Sequence, residues 1–444
     1  MLGAQKYATL YDITRMKRRT RYSLIAIGFA FFLITAPLFV LYLSGIKYDF
    51  DENRYVKTGI LVANTEPEDV KIYVDDVLSG TSPDRVKFIS PGEHDISLRK
   101  DGYFNWSKRL DLKSGKVTWV AGTIPYVTLL KHDPKTATWA SNVTDFDFYQ
   151  DGLVYLNSDK IIIAPDPETD TNIIPLPISA TSFILSPNRN TALIYGEGIT
   201  RLILDLDTKK LSNITSLITP YTELQFSDAN ELFALNTQTG TLSIIDFVNN
   251  TQQTIANDIT GVTTIETIIY ALRKTPTGNE LITFSRHGDS TTARVLTQTP
   301  AFTTSQIIVT KQKEVFILGD GTAYAVGTEL NKLAEGLTNW HYNSDDNSIL
   351  LVSPSELHRY TVGLGLELIS RSTTAYDAPF LSNAIGYAFY GQDGYLQALE
   401  LDRRDHQNNY RLKPATQITK ILSKDAIKKL FVLSDGKIEE LQIR

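Results

Sequence analysis

The sequence predicts a mainly β protein that carries one membrane-spanning helix near its N-terminus. Three observations support this fold class. One uncharged apolar stretch near the N-terminus is long enough to cross a bilayer. Most of the remaining chain consists of short apolar runs separated by polar turns, which is typical of strands. From about residue 135 onward these runs recur at a nearly regular spacing.

The composition of the 444 residues excludes several classes of protein. Apolar residues make up 42% and charged residues 21%, a balance typical of folded rather than disordered chains. The formal net charge of −6 argues against a nucleic-acid partner, because such proteins normally present a basic surface. There is no cysteine, which excludes disulfides, zinc fingers, iron–sulfur clusters and a thiol nucleophile.

The apolar stretch runs from Ser23 to Ile46 and contains no charged residue. It is longer than the ~7–15-residue apolar core of a signal peptide, and no A-x-A cleavage site follows it. We therefore predict a transmembrane helix over residues 22–46 that acts as an uncleaved signal anchor. A cleaved signal peptide is the rival interpretation.

Charge is distributed unequally around this stretch. Six basic residues and one acid in the first 21 residues give +5, so the remaining 423 residues carry −11. Lys17, Arg18, Arg19 and Arg21 lie directly before the stretch, and the positive-inside rule places such a cluster in the cytoplasm. We predict a single-pass protein of the plasma membrane. Residues 1–21 form its cytoplasmic tail, residues 47–57 a linker, and the bulk of the chain is extracytoplasmic.

Residues 58–131 are predicted to form a small β-sandwich, because strand-like runs and turn residues alternate there without helical periodicity. Its motifs, in order, are Val70-Lys-Ile-Tyr-Val74, Gly80-Thr-Ser-Pro83, Pro91-Gly-Glu-His94 and Lys100-Asp-Gly-Tyr103. This order resembles the PEGA domain. The sequence departs from the family pattern at Glu68-Asp69, Asp76 and Ser82. The resemblance implies a non-catalytic extracytoplasmic module and does not imply a ligand.

Residues 132–444 are predicted to form a β-propeller. One apolar strand of each repeat passes through Leu153, Leu193, Phe233, Ile282, Phe316, Leu350, Tyr387 and Phe431. The mean spacing of about 40 residues matches the blade period of propellers. Polar turns such as 186–190 precede these strands, and they resemble the hairpins of the propellers of the periplasmic protein TolB and its relatives. Eight blades are predicted, with seven as the alternative.

The last repeat shows only three strands before the chain ends. A fourth strand from elsewhere in the chain would complete the sheet and remove an exposed edge. We predict that residues 127–130, just before the first repeat, supply this strand.

The sequence contains no recognisable catalytic or metal-binding motif, so we predict no enzyme activity, no metal and no cofactor. None of the six histidines forms H-x-H or H-E-x-x-H. Residues 166–172 place oxygen ligands at alternate positions, but they lack the glycine and the terminal glutamate of a calcium loop. We interpret them as a polar loop.

Three aromatic residues, Trp340, Tyr342 and Tyr376, are candidate ligand-binding side chains. They fall where loops are expected to open onto a propeller face, where they would bind a glycan or a peptide. Packing between blades is the alternative interpretation of all three.

Together these features predict a non-catalytic protein of the cell envelope. Its PEGA-like domain and propeller would bind or scaffold a surface polymer, a cell-wall component or an envelope protein. The alternative is a propeller-type carbohydrate-active hydrolase or lyase at the cell surface, which would need two carboxylates about 5–10 Å apart at the central face.

Overall fold

The computed structural model describes residues 18–49, 53–122, 124–167, 172–285, 293–343, 347–424 and 427–444. The chain divides into two compact units. The first consists of Met1–Asp101, Asn105–Leu129 and Arg404–His406. The second consists of Gly102–Phe104, Leu130–Arg403 and Gln407–Arg444.

The first unit begins with helix α1 (Arg18–Leu43), which contains Pro37 and buries none of its side chains. It is long and apolar enough to cross a membrane. The helix starts earlier than predicted, because Arg18, Arg19 and Arg21 already lie within its first turns. Lys17 lies outside the described residues. The helix ends at Leu43, and Gly45, two residues later, has a left-handed φ of +71°, the conformation that glycine adopts most easily after a helix C-terminus.

The strands of the first unit follow directly. They are β1 (Ile46–Asp49), β2 (Arg54–Lys57), β3 (Gly59–Ala63), β4 (Thr65–Glu66), β5 (Lys71–Val74), β6 (Val77–Thr81), β7 (Asp84–Ile89), β8 (Gly92–Arg99), β9 (Trp106–Leu112), β10 (Val117–Trp119) and β11 (Val127–Thr128). A three-stranded sheet has the order β10-β3-β7, and a four-stranded sheet has the order β6-β5-β8-β9. Strands β1 and β2 form a separate hairpin.

The core of this small domain comes from strands in which every second residue is buried. In β9 the buried residues are Trp106, Lys108, Leu110 and Leu112, which is the period of a half-buried strand. The turn after β5 explains one departure from the PEGA pattern. Asp76 has a φ of +60°, and aspartate tolerates this left-handed conformation better than most residues, so the position does not require glycine.

The second unit contains eight four-stranded antiparallel sheets in the described residues. Sheet 1 is β13 (Asp145–Tyr149), β14 (Gly152–Asn157), β15 (Lys160–Ala164) and β16 (Asn172–Pro175). Sheet 2 is β17 (Ala180–Leu185), β18 (Thr191–Gly196), β19 (Arg201–Asp205) and β20 (Leu211–Asn213). The short helix α2 (Thr215–Ile218) follows. Sheet 3 is β21 (Glu223–Phe226), β22 (Glu231–Asn236), β23 (Thr241–Asp246) and β24 (Thr251–Ala256). Sheet 4 is β25 (Ile259–Ile265), β26 (Ile268–Thr275), β27 (Gly278–Ser285) and β28 (Arg294–Thr299).

The remaining four sheets repeat this pattern. Sheet 5 is β29 (Ser305–Val309), β30 (Val315–Gly319), β31 (Thr322–Val326) and β32 (Leu330–Ala334). Sheet 6 is β33 (Asn339–Asn343), β34 (Ser348–Val352), β35 (Glu356–Thr361) and β36 (Gly365–Arg371). Sheet 7 is β37 (Asp377–Ser382), β38 (Tyr387–Gln392), β39 (Tyr395–Glu400) and β40 (Asn409–Pro414). Sheet 8 is β41 (Ile418–Lys424), β42 (Lys429–Ser434), β43 (Lys437–Gln442) and β12 (Lys135–Ser141).

Apolar clusters join each sheet to the next in sequence, and one cluster joins the last sheet to the first. Leu193 of sheet 2, for example, packs in one cluster with Leu232 of sheet 3. Phe431 of sheet 8 shares a cluster with Phe146 of sheet 1. The packing of the eight sheets therefore forms a closed cycle, as in a β-propeller.

Two details of the predicted repeat are wrong. The strand that completes sheet 8 is β12, whereas Val127 and Leu129 donate their amide protons to Asn64 and Glu66 in the first unit. The backbone of 127–129 is thus already paired with β4. In addition, Ile282 lies on the third strand of its sheet, while the other seven marker residues lie on second strands. This displacement makes the spacing from Phe233 to Ile282 long, at 49 residues, and the spacing from Ile282 to Phe316 short, at 34 residues.

Candidate functional site

A cavity of about 530 Å³ lies among the first strands of sheets 3, 4, 5 and 6. We call it the inner-strand cavity. Its lining residues are Tyr195, Thr222, Glu223, Leu224, Gln225, Phe233, Val262, Thr263, Ser305, Gln306, Ile307, Ile308 and Trp340. Each of the four strands contributes to it because equivalent strands of successive sheets face one another in a propeller.

Apart from Glu223, the polar side chains that line the cavity are uncharged. The indole N–H of Trp340 donates to the side-chain oxygen of Gln306, which fixes both groups relative to each other. Gln225 and Gln306 are exposed to the cavity, and Thr222 and Thr263 add hydroxyl groups. Amides, hydroxyls and one indole ring together form a surface that donates and accepts hydrogen bonds beside a flat apolar ring.

Glu223 carries the only carboxyl group among the described residues that line this cavity. Partial removal from water raises its pKa above the usual value for glutamate. Tyr195 lies on β18 of sheet 2. Its hydroxyl donates a 3.4 Å hydrogen bond to the Leu224 carbonyl, and burial raises the pKa of its phenol. Glu223 has no second carboxyl group beside it among the described lining residues.

Asp145 and Asp147 of β13 form hydrogen bonds and ion pairs away from this cavity. Asp145 accepts from Lys420 at 2.9 Å and from the Phe183 amide at 3.2 Å, which connects sheet 1 to sheets 8 and 2. Asp147 pairs with Arg189 at 3.0 Å. The sequence places these two acids at alternate positions but contains no local signal for their partners.

The structure places two of the three predicted aromatic residues, Trp340 and Tyr342, on the same strand and against the same apolar cluster between sheets 5 and 6, and it places Tyr376 elsewhere. Trp340 lines the inner-strand cavity. Tyr342 packs against the cluster between sheets 5 and 6, and its hydroxyl bonds the Lys311 amide and the Asn347 side chain, both at 3.0 Å. Tyr376 is buried between sheets 6 and 7, where its ring meets Tyr390 edge-on at 5.1 Å. Tyr342 and Tyr376 therefore occupy packing positions, and a ligand-binding role for the set stays a prediction.

The described residues contain no group of three or more histidine, aspartate or glutamate side chains arranged to hold a metal ion. His287 lies outside the described residues. The polar loop at 166–172 is described only in part, because Glu168 and Asp170 also lie outside them.

One comparison with known proteins matches a part of the first unit. Residues 58–127 match the PEGA domain. The matched residues include all strands from β3 to β10, so the PEGA domain corresponds to the two sheets described above. No curated protein sequence matches the chain.

The propeller is similar in fold to solved structures. The C-terminal WD40 domain of Sif2 matches with a TM-score of 0.51 and 11% identity, covering 70% of this chain and 99% of that one. A eukaryotic initiation factor matches with a TM-score of 0.49 and 11% identity, over 69% of this chain and 86% of that one. A streptogramin B lyase structure matches with a TM-score of 0.42 and 10% identity, over 70% and 98%. At these identities the similarity concerns the fold alone.

Proposed function

We propose that this protein is a non-catalytic binding or scaffolding protein of the cell envelope. In this proposal α1 anchors the chain in the plasma membrane, with the PEGA domain and the propeller on the extracytoplasmic side. The exposed apolar surface of α1 and the PEGA match support this location. The inner-strand cavity is the observation that carries the binding role.

The chemistry of the cavity favours a surface glycan as the bound polymer. The side-chain amides of Gln225 and Gln306 would hydrogen-bond sugar hydroxyl and N-acetyl groups. The ring of Trp340 would cover the apolar face of a sugar, since aromatic side chains combine apolar area with a fixed polar group. The single acid and the absence of a basic residue among the described lining favour an uncharged glycan over an anionic one.

The proposal is tested by titrating the detergent-solubilised 444-residue chain with N-acetylglucosamine oligomers and with an uncharged glucan. We expect Trp340→Ala to weaken binding at least about tenfold, the equivalent of about 1.4 kcal/mol. Leu364→Ala is the matched control, because Leu364 is 86% exposed in sheet 6's outer hairpin and lies outside the cavity. Unchanged binding by Trp340→Ala, or no binding by the parent chain, would reject the proposal.

The alternative of a carbohydrate-active hydrolase is less well supported. Such an enzyme uses two carboxyl groups on either side of the bond that is cleaved, and the described lining supplies Glu223 alone. The same titration samples are assayed for new reducing ends. Their appearance, and their loss in Glu223→Gln, would replace the binding role with a catalytic one.

A further inference from the structure

The sheet β10-β3-β7 of the PEGA domain has an outer face that combines apolar and basic side chains. Val117 is 51% and Trp119 46% exposed on β10, whereas Trp106 in the same domain is 1% exposed. Register places Trp119 beside Val62 and Val62 beside Arg85, so an aromatic ring and a guanidinium share this face. A face of this composition is typical of the membrane interface, where tryptophan and basic residues are enriched.

Three lysines extend this face around a cavity of about 380 Å³. Lys57, Lys87 and Lys116 line it together with the apolar side chains of Phe88 and Val117. Within the described part of the chain, neither the three lysines nor Arg85 forms an ion pair with a carboxylate. Asp84 lines the adjoining cavity together with Arg85 and Lys87, and its carboxylate accepts the Arg85 amide proton at 2.7 Å. Among the described residues, no carboxylate therefore forms an ion pair with the basic side chains of this cavity.

The same cavity is continuous with the C-terminal end of α1. Tyr42 and Leu43, the last residues of the helix, line it. The Tyr42 ring stacks on Phe88 at 4.8 Å, and Thr58 donates to the Gly45 carbonyl from its amide at 2.8 Å.

Phe88 has a left-handed φ of +63°, a conformation that phenylalanine rarely adopts. Such strain persists only where the surroundings impose it. Here it places the ring against the end of the helix.

We propose that this face, which we call the interfacial face (Lys57, Arg85, Lys87, Lys116, Val117 and Trp119), binds the headgroups of anionic phospholipids. The proposal rests on the proposed function in one respect, because α1 must cross the bilayer. If α1 leaves the hydrocarbon core of the bilayer at Leu43, the lysines that line the same cavity as Leu43 lie at the level of the lipid phosphates. Lipid phosphate then supplies the counterion that the described protein residues do not, while Val117 and Trp119 contact the acyl boundary.

The test uses the detergent-solubilised full chain and native mass spectrometry with phosphatidylglycerol or phosphatidylcholine added. We expect the parent chain to retain phosphatidylglycerol in preference to phosphatidylcholine. Each basic residue near a membrane surface contributes about fivefold in affinity, so Lys57→Gln with Lys87→Gln and Lys116→Gln should weaken phosphatidylglycerol binding by about a hundredfold. The matched control changes three exposed lysines elsewhere, Lys71→Gln, Lys135→Gln and Lys210→Gln, and should bind as the parent does.

Each outcome decides between distinct explanations. Equal retention of the two lipids, or unchanged phosphatidylglycerol binding by the first triple variant, would overturn the interfacial face. Competition by soluble glycerol phosphate at equal concentration would replace the lipid with a free phosphate ligand. Extraction of the chain from membranes by alkaline carbonate would refute the anchor and with it the proposed function. Retention in the membrane without lipid preference would refute the interfacial face alone.

Discussion

Asp145 is a single residue that connects three sheets of the propeller. Its carboxylate accepts hydrogen bonds from Lys420 of sheet 8 and from the Phe183 amide of sheet 2, and its side chain is only 15% exposed. The residue is therefore a sensitive point at which to test the closed cycle of sheets.

We expect Asp145→Ala to destabilise the propeller by about 2 kcal/mol, because the ammonium of Lys420 loses its carboxylate in a partly buried place. Urea unfolding followed by tryptophan fluorescence measures the change as a shift in midpoint. Asp147→Ala is the control. Its partner Arg189 is half-exposed, and exposed ion pairs contribute less than about 1 kcal/mol. Equal shifts for the two variants would contradict the role given to Asp145.

Individual site residues were predictable only where their chemistry is unusual. Trp340 stands out in the sequence because tryptophan is rare, and it does line the inner-strand cavity. Gln225 and Gln306 do not stand out, since they alternate with apolar residues as in any strand. Most of the cavity's lining comes from the first strands of four successive sheets, so these residues lie roughly one repeat length apart in sequence, and no local pattern marks them.

At the scale of elements, strands with buried faces were predictable and outer strands were not. The runs at β14, β18 and β30 are continuously apolar because neighbouring sheets cover both of their faces. Strand β12 is almost wholly exposed and reads Lys-Thr-Ala-Thr-Trp-Ala-Ser, so nothing in its pattern separates it from a loop. Its pairing with β43 depends on an interaction across about 300 residues, which short-range periodicity does not report.

That pairing makes the C-terminal strand necessary for the ring. Strand β43 pairs with β12 on one side and β42 on the other, and it buries Ile438 and Leu441 completely. Deleting residues 437–444 removes both ladders together with these side chains. We expect a loss of at least about 5 kcal/mol, because burying each large aliphatic side chain contributes about 2–5 kcal/mol. Calorimetry should show a fall in Tm of more than about 10 °C.

The control for this truncation removes Arg444 alone, which leaves every residue of the β43 ladders in place. Its Tm should stay within a few degrees of the parent. A truncated chain that melts with the parent would mean that β12 and β43 do not close the ring.

At the scale of the whole molecule, the totals of charge and composition describe an average of unlike parts. The net charge of −6 combines a tail of +5 with a remainder of −11. The apolar fraction of 42% combines one exposed helix with many short buried strands. Because the chain has no cysteine, each unit is stabilised internally by strand pairing and apolar packing, without disulfides. The same absence makes an introduced cysteine a specific probe of topology.

We expect Leu364→Cys in the full chain to react with a membrane-impermeant maleimide on intact bacterial spheroplasts, because Leu364 is 86% exposed and the propeller is proposed to be extracytoplasmic. The cysteine-free parent supplies the zero-labelling control, and Ala4→Cys in the basic tail should react only after lysis.

Orientation should depend on the basic cluster before α1, since basic residues are retained on the cytoplasmic side. Replacing Lys17, Arg18, Arg19 and Arg21 by glutamate should therefore reduce the labelling of Leu364→Cys on intact spheroplasts and increase that of Ala4→Cys. Labelling of Ala4→Cys before lysis in the parent background would reverse the proposed topology.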